Sequence, residues 1–252
     1  GDADHALLYF SGHGYLDDTG GFLVSRDFTD EDMGVSMSWL TREINKSDIE
    51  EITLILDCCH AGSAANLRPE DGKEEVAELR KNVTVLAAST QEGKANEKLG
   101  QGVFTNILLQ GLNGAAADLA GHVTAASLYS MADSILSPWQ QRPVFKSFVT
   151  QMSPLRSCLP QTPKGQMRQL VKPDFFEDTD RVLQLSPHDI SADLESQPET
   201  VRFFSLLLAF HQAGLIECPN RQSLFEAALN NSTCELTLHG RYVHQLITSK
   251  RF

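Results

Sequence analysis

The sequence predicts an α/β fold with parallel strands at the centre of its sheet, followed by a smaller α+β unit. Apolar runs at residues 6–10, 52–56 and 83–87 have the length and composition of buried strands. Segments with helical spacing alternate with them, which is the pattern of a sheet with parallel strands. Near Ser153 the composition changes, and residues 153–173 carry four prolines and little periodicity.

In chain order, Ala6-Leu7-Leu8-Tyr9-Phe10 reads as a strand that ends in the tight loop Ser11-Gly12-His13-Gly14. Residues 22–24 form a brief extended piece between a glycine pair and an acidic loop. Residues 37–45 have helical spacing, with Met37, Leu40 and Ile44 on one stripe and Ser36 as the cap. Strand 52–56 ends at Asp57-Cys58-Cys59-His60. Residues 63–81 are polar and charged and read as an exposed linker with one helical turn around 76–79. A third strand at 83–87 precedes helices at 104–112 and 125–136 and an extended segment at 143–149. The resulting domains are 1–152 for the α/β part, 153–174 for a linker, and 175–252 for the second unit. In that unit an apolar helix at 203–213 leads into Gly214-Leu215-Ile216-Glu217. Later, Leu236-Thr237-Leu238-His239-Gly240 precedes a helix at 242–248.

Bulk properties exclude several classes. With 252 residues, 41% apolar and 21% charged, the chain has an ordinary globular composition and is neither disordered nor collagen-like. A net charge of −12 argues against a nucleic-acid binder held by phosphate contacts and suits attraction of basic substrates. Five cysteines, with Cys58 and Cys59 adjacent, form no disulfide framework, so a reducing cytoplasm is expected. No run approaches the roughly 18 apolar residues of a membrane span, and no signal peptide is visible. The chain also opens without Met, so residue 1 is expected not to be the natural start.

Two strands end in reactive side chains, His13 after the first and Cys59 after the strand at 52–56. In open parallel sheets ligands bind beyond the carboxyl ends of the strands, so both side chains are expected to face one crevice. A cysteine attacks a carbonyl as its thiolate, and a neighbouring imidazole supplies that state and later protonates the leaving amine. Glycines flanking His13 are expected to let the backbone turn sharply. N–H groups around Cys59 and near Gly14 are the candidate oxyanion hole. Cys58 is expected to be inert core, and His60 to support its loop.

Tyr9-Phe10-Ser11-Gly12-His13-Gly14 and Asp57-Cys58-Cys59-His60-Ala61-Gly62 resemble the two signature blocks of metacaspases and their bacterial caspase-like relatives. Caspases place the His about 50 residues before the Cys, a spacing that His13 and Cys59 satisfy. The resemblance implies a caspase-like (caspase–hemoglobinase) sheet flanked by helices and a cysteine endopeptidase with Cys59, not Cys58, as nucleophile and His13 as its partner. It further implies an S1 pocket built on Asp57 and on an acid after the strand at 83–87, for which Glu97 is the match and Glu92 the runner-up. Two carboxylates in a narrow pocket bind Arg or Lys at P1 and repel Asp. The linker at 63–81 then offers Arg68, Lys73, Arg80 and Lys81 as processing candidates.

The resemblance covers about residues 4–150 and lacks the first two strands of a caspase sheet. An N-terminal fragment of the same precursor is therefore an expected partner. No cofactor or metal is expected, although Asp17, Asp18, Asp27, Asp30, Glu31 and Asp32 leave calcium open, as in some metacaspases. The second unit resembles a winged-helix module and suggests a regulatory or recruitment role. DNA binding fits it poorly, because residues 161–252 hold nine Lys/Arg against eleven Asp/Glu. The leading reading is a processed zymogen in a bacterial defence or cell-death pathway. A catalytically silent scaffold and a DNA-binding regulator are the alternatives.

Overall fold

The computed structural model describes residues 4–18, 20–29, 32–58, 79–88, 100–137, 142–160, 162–190 and 198–251. It divides into two compact units, residues 1–118 with 122–158, and residues 119–121 with 159–252.

The first unit is built on a mixed four-stranded sheet. β1 (His5–Gly12) is followed by an antiparallel trio, β2 (Gly14–Asp17), β3 (Gly20–Val24) and β4 (Gly34–Ser36). Next come α1 (Met37–Lys46), β5 (Glu51–Cys58), β6 (Val83–Ala87), α2 (Gly100–Gln110), β7 (His122–Val123), α3 (Ala125–Leu136), β8 (Val144–Phe148) and β9 (Arg156–Ser157). The main sheet has the order β1-β5-β6-β8, with β1, β5 and β6 parallel and β8 antiparallel. All eight residues of β5 are buried, as a strand covered on both faces requires. Leu54, Leu56 and Cys58 pack with Met37 and Ile44 of α1 on one face. Ile55 packs on the other, with Phe104, Ile107 and Leu108 of α2 and Leu128 and Ala132 of α3.

Local chemistry explains the helix boundaries. Ser36 caps α1 by accepting the Trp39 N–H at 3.3 Å, and Met37, Thr41 and Ile44 form its buried stripe. Thr124 and Ser127 form a reciprocal capping box at the start of α3, with bonds of 3.1 and 3.0 Å. α2 runs on into a π-turn at Gly111–Ala115, where Gly114 takes φ 116°, a value open to glycine. The sequence shows only residues 22–24 of the β2-β3-β4 sheet.

The second unit has the three-stranded antiparallel sheet β10 (Val182–Gln184), β12 (Thr233–Leu236) and β11 (Ile216–Glu217), with β12 central. Its main helices are α4 (Lys164–Met167), α5 (Pro198–Gln212), α6 (Leu224–Leu229) and α7 (Leu238–Thr248). Residues 164–171, inside the proline-rich stretch, are helical, and Met167 and Leu170 are wholly buried against Phe176, Leu207 and Phe210.

Candidate active site

The carboxyl ends of β1 and β5 lie side by side. Their parallel register pairs Ser11 with Asp57 and Gly12 with Cys58. His13 follows Gly12 directly and is exposed, between the end of β1 and the start of β2. Its carbonyl accepts the Val24 N–H at 3.0 Å. With Gly14 opposite Leu23, that bond makes 14 and 23 a non-hydrogen-bonded pair, so the Gly14 N–H points away from β3. The glycines serve this corner differently from the expected sharp turn, because neither Gly12 nor Gly14 takes a positive φ. At Gly12 a Cβ would come within 2.9 Å of the Phe10 ring, so the missing side chain makes room for that ring.

Asp57 is the buried acid of the site, 1% exposed, on the face of β5 that meets α2. Its carboxylate accepts hydrogen bonds from the Thr105 hydroxyl and N–H. Burial raises the Asp57 pKa above its ordinary value, and the two bonds from Thr105 oppose that rise. Thr105 Oγ1 is also 2.8 Å from the Tyr9 hydroxyl. Because the Thr105 proton goes to the carboxylate, Tyr9 must be the donor in that second bond. The chain Tyr9–Thr105–Asp57 thus runs from an exposed phenol to a buried acid. Among the described residues no Lys or Arg forms an ion pair with Asp57. Thr105 has no sequence signal of its own, since it lies within a helix read for its apolar face, and Tyr9 reads simply as a strand residue.

The remaining site residues divide plainly. Cys59, His60, Glu92, Glu97, Arg68 and Lys73 lie outside the described residues, as do Asp30 and Glu31. Cys58 is buried in the core on the α1 face. Arg80 is engaged locally: its guanidinium donates to the carbonyls of Ile44 (3.0 Å), Lys81 (3.1 Å) and Ile49, and its N–H to Asn45 Oδ1 (3.0 Å). Lys81 is exposed. In the acidic stretch, Asp17 Oδ1 accepts the Gly20 N–H and Asp32 Oδ1 the Gly34 N–H, both at 3.0 Å, so these carboxylates close turns. Among the described residues no three His, Cys, Asp or Glu side chains form a metal-binding group, and no helix is long and apolar enough to cross a membrane.

A mixed sheet flanked by helices, with its candidate groups at the carboxyl ends of adjacent parallel strands, defines an α/β domain of the open-sheet class. Residues 1–154 match the family model of the caspase domain, and the chain belongs to that family, whose members are cysteine peptidases that need no cofactor. No curated protein matches the chain.

Proposed function

We propose that this protein is a cysteine endopeptidase that cleaves proteins after Arg or Lys, with Cys59 as nucleophile and His13 as its base and acid. The observation that carries the reading is the Gly12–Cys58 pairing, the last in the β1–β5 register. His13 and Cys59 each follow by one residue, from parallel strands about 4.8 Å apart. Thiolate attack on the scissile carbonyl, with proton return from the imidazole to the leaving amine, fits that arrangement. The outward N–H of Gly14 and that of Cys59 form the proposed oxyanion hole.

Asp57 supports the choice of P1 residue. A buried carboxylate lacking a cationic side-chain partner among the described residues is stabilised by a guanidinium or ammonium entering beside it. Glu97, or Glu92, supplies the second acid of S1 in this reading. The outer edge of β1 pairs with no described strand, and Leu7 and Tyr9 are both 51% exposed along it. That edge is where strands of an N-terminal fragment would add. The domain limits rest on the change in composition near Ser153. The metacaspase-like assignment, zymogen processing at Arg68, Lys73, Arg80 or Lys81 and the defence or cell-death setting rest on the sequence resemblance. So does a winged-helix-like recruitment role for the second unit. Cleavage at Arg80 would first require its side chain to leave the carbonyls of Ile44, Ile49 and Lys81.

A peptide library varied at P1 tests the proposal, using wild type, Cys59→Ala and Asp57→Ala. Wild type cleaves after Arg and Lys, and Cys59→Ala is silent. Asp57→Ala loses about 100-fold or more in kcat/KM for basic P1, the scale of an unpaired buried charge. Cleavage after Asp, or an unchanged P1 profile in Asp57→Ala, would sink the specificity. Full activity in Cys59→Ala would sink the mechanism.

A further inference from the structure

Two thiols that play no part in the peptidase reading sit opposite one another in the second unit. β11 and β12 pair Ile216 with Leu236 and Glu217 with Glu235, and continuing that register one step beyond the end of β11 sets Cys218 opposite Cys234. The Thr237 N–H donates to the Leu215 carbonyl at 3.0 Å, which makes 215/237 a hydrogen-bonded pair and 216/236 a non-hydrogen-bonded one. Alternation makes 218/234 non-hydrogen-bonded as well, the class in which α-carbons stand about 4.5 Å apart and side chains are closest. A disulfide spans roughly 4.4–6.8 Å between α-carbons. Both thiols are free, and both are buried in the core that takes Ile216 and Leu236. Their proximity has an electrostatic trace too: the Cys234 thiol is pushed up to about 12, by burial first and then by Cys218 and Asp189.

The end of this strand pair is also its weak point. Directly after Cys218, the non-glycine residues Asn220 and Arg221 take φ of 55° and 58°, a region that strains side chains. On the outer face Glu217 and Glu235 oppose like charges across the strands. Cys218 adjoins this turn and is 5% exposed, whereas Cys234 is wholly buried, so Cys218 is the more accessible of the two thiols.

We infer that Cys218 and Cys234 form a dithiol site that a low-molecular-weight disulfide closes to a cross-strand bond and that a trivalent arsenical bridges when reduced. In the first reaction the Cys218 thiolate attacks one sulfur of glutathione disulfide, forming a mixed disulfide and expelling one glutathione thiolate. The Cys234 thiolate then attacks the Cys218 sulfur and expels the second. The two protein thiols lose two electrons and two protons, and one glutathione disulfide becomes two glutathiones. With phenylarsine oxide, two S–As bonds form and the two thiol protons leave with the oxide oxygen as water.

The test uses the full chain carrying Cys59→Ala and Cys158→Ser, held folded in glutathione redox buffers, alkylated and digested with trypsin. Peptides 203–221 and 222–241 are expected as one linked species, two hydrogens lighter than their sum. Recovery of the two peptides unlinked from folded protein, under buffers that link them after unfolding, overturns the inference. Phenylarsine oxide is expected to bind one per chain, with affinity falling at least tenfold in Cys218→Ser. Equal affinity in that variant overturns it. Because Cys234 is wholly buried and its replacement endangers folding, neither measurement depends on changing it.

Discussion

Replacing Thr105 by Val keeps the side-chain shape and removes the hydroxyl that donates to Asp57 and accepts from Tyr9. Burial, the larger influence, raises the Asp57 pKa, and the Thr105 hydroxyl opposes it, so the variant's carboxyl titrates higher still. A carboxyl with a native pKa above its unfolded value leaves the folded state holding more protons between the two values. Stability then falls as pH rises through that interval. Below it the carboxyl is neutral in both states, and the variant loses a neutral hydrogen bond, about 0.5–1.5 kcal/mol. Above it the lost bond is one to a charge, about 1.5–3 kcal/mol. At 1% exposure Asp57 has little water to compensate. The extra loss of about 1 kcal/mol corresponds to roughly 2–4 °C in melting temperature for a protein of this size. Thermal unfolding by circular dichroism between pH 3 and 8, in a Cys59→Ser background that prevents self-digestion, measures it. A Thr105→Val penalty that is the same at every pH would show that Asp57 is not the charged acceptor.

Arg80 and Gly240 give two further predictions. Arg80→Lys keeps the charge but not the fork of donors to the Ile44, Ile49 and Lys81 carbonyls. It should destabilise the first unit by about 1–3 kcal/mol in thermal unfolding, and an unchanged melting curve contradicts a stabilising role for those bonds. At Gly240 an added Cβ would fall 1.9 Å from the Leu215 carbonyl oxygen, so α7 packs backbone against backbone there. Gly240→Ala should cost about 3 kcal/mol or more and make the second unit protease-sensitive, and wild-type resistance in limited proteolysis argues against that contact.

The strands and helices that read clearly from sequence are those whose identity is set by burial. β5 and β6 are uninterrupted apolar runs because both faces of the sheet are covered. α3 matches its expected limits because Thr124 and Ser127 box its start and Ala125, Leu128, Ala132 and Leu136 form its buried stripe. β2 and β4 were illegible for the opposite reason: they are three or four residues long and contain no fully buried residue, so pairing alone defines them. Residues 164–171 read as a connector on their prolines, yet Met167 and Leu170 anchor a core through contacts distant in sequence. At the site, the placing of His13, Asp57 and Cys59 at or just beyond strand ends is written in the chain. The hold of Thr105 on Asp57 spans 48 residues and follows only from how α2 lies on β5.

The strand that delivers Asp57 and Cys58 is enclosed along its whole length. In such a strand the amide protons belong to the slowest-exchanging class, close to the limit set by unfolding of the whole unit. Its tip is consequently a fixed anvil, and Asp57 and Cys58 keep their places for as long as the first unit stays folded.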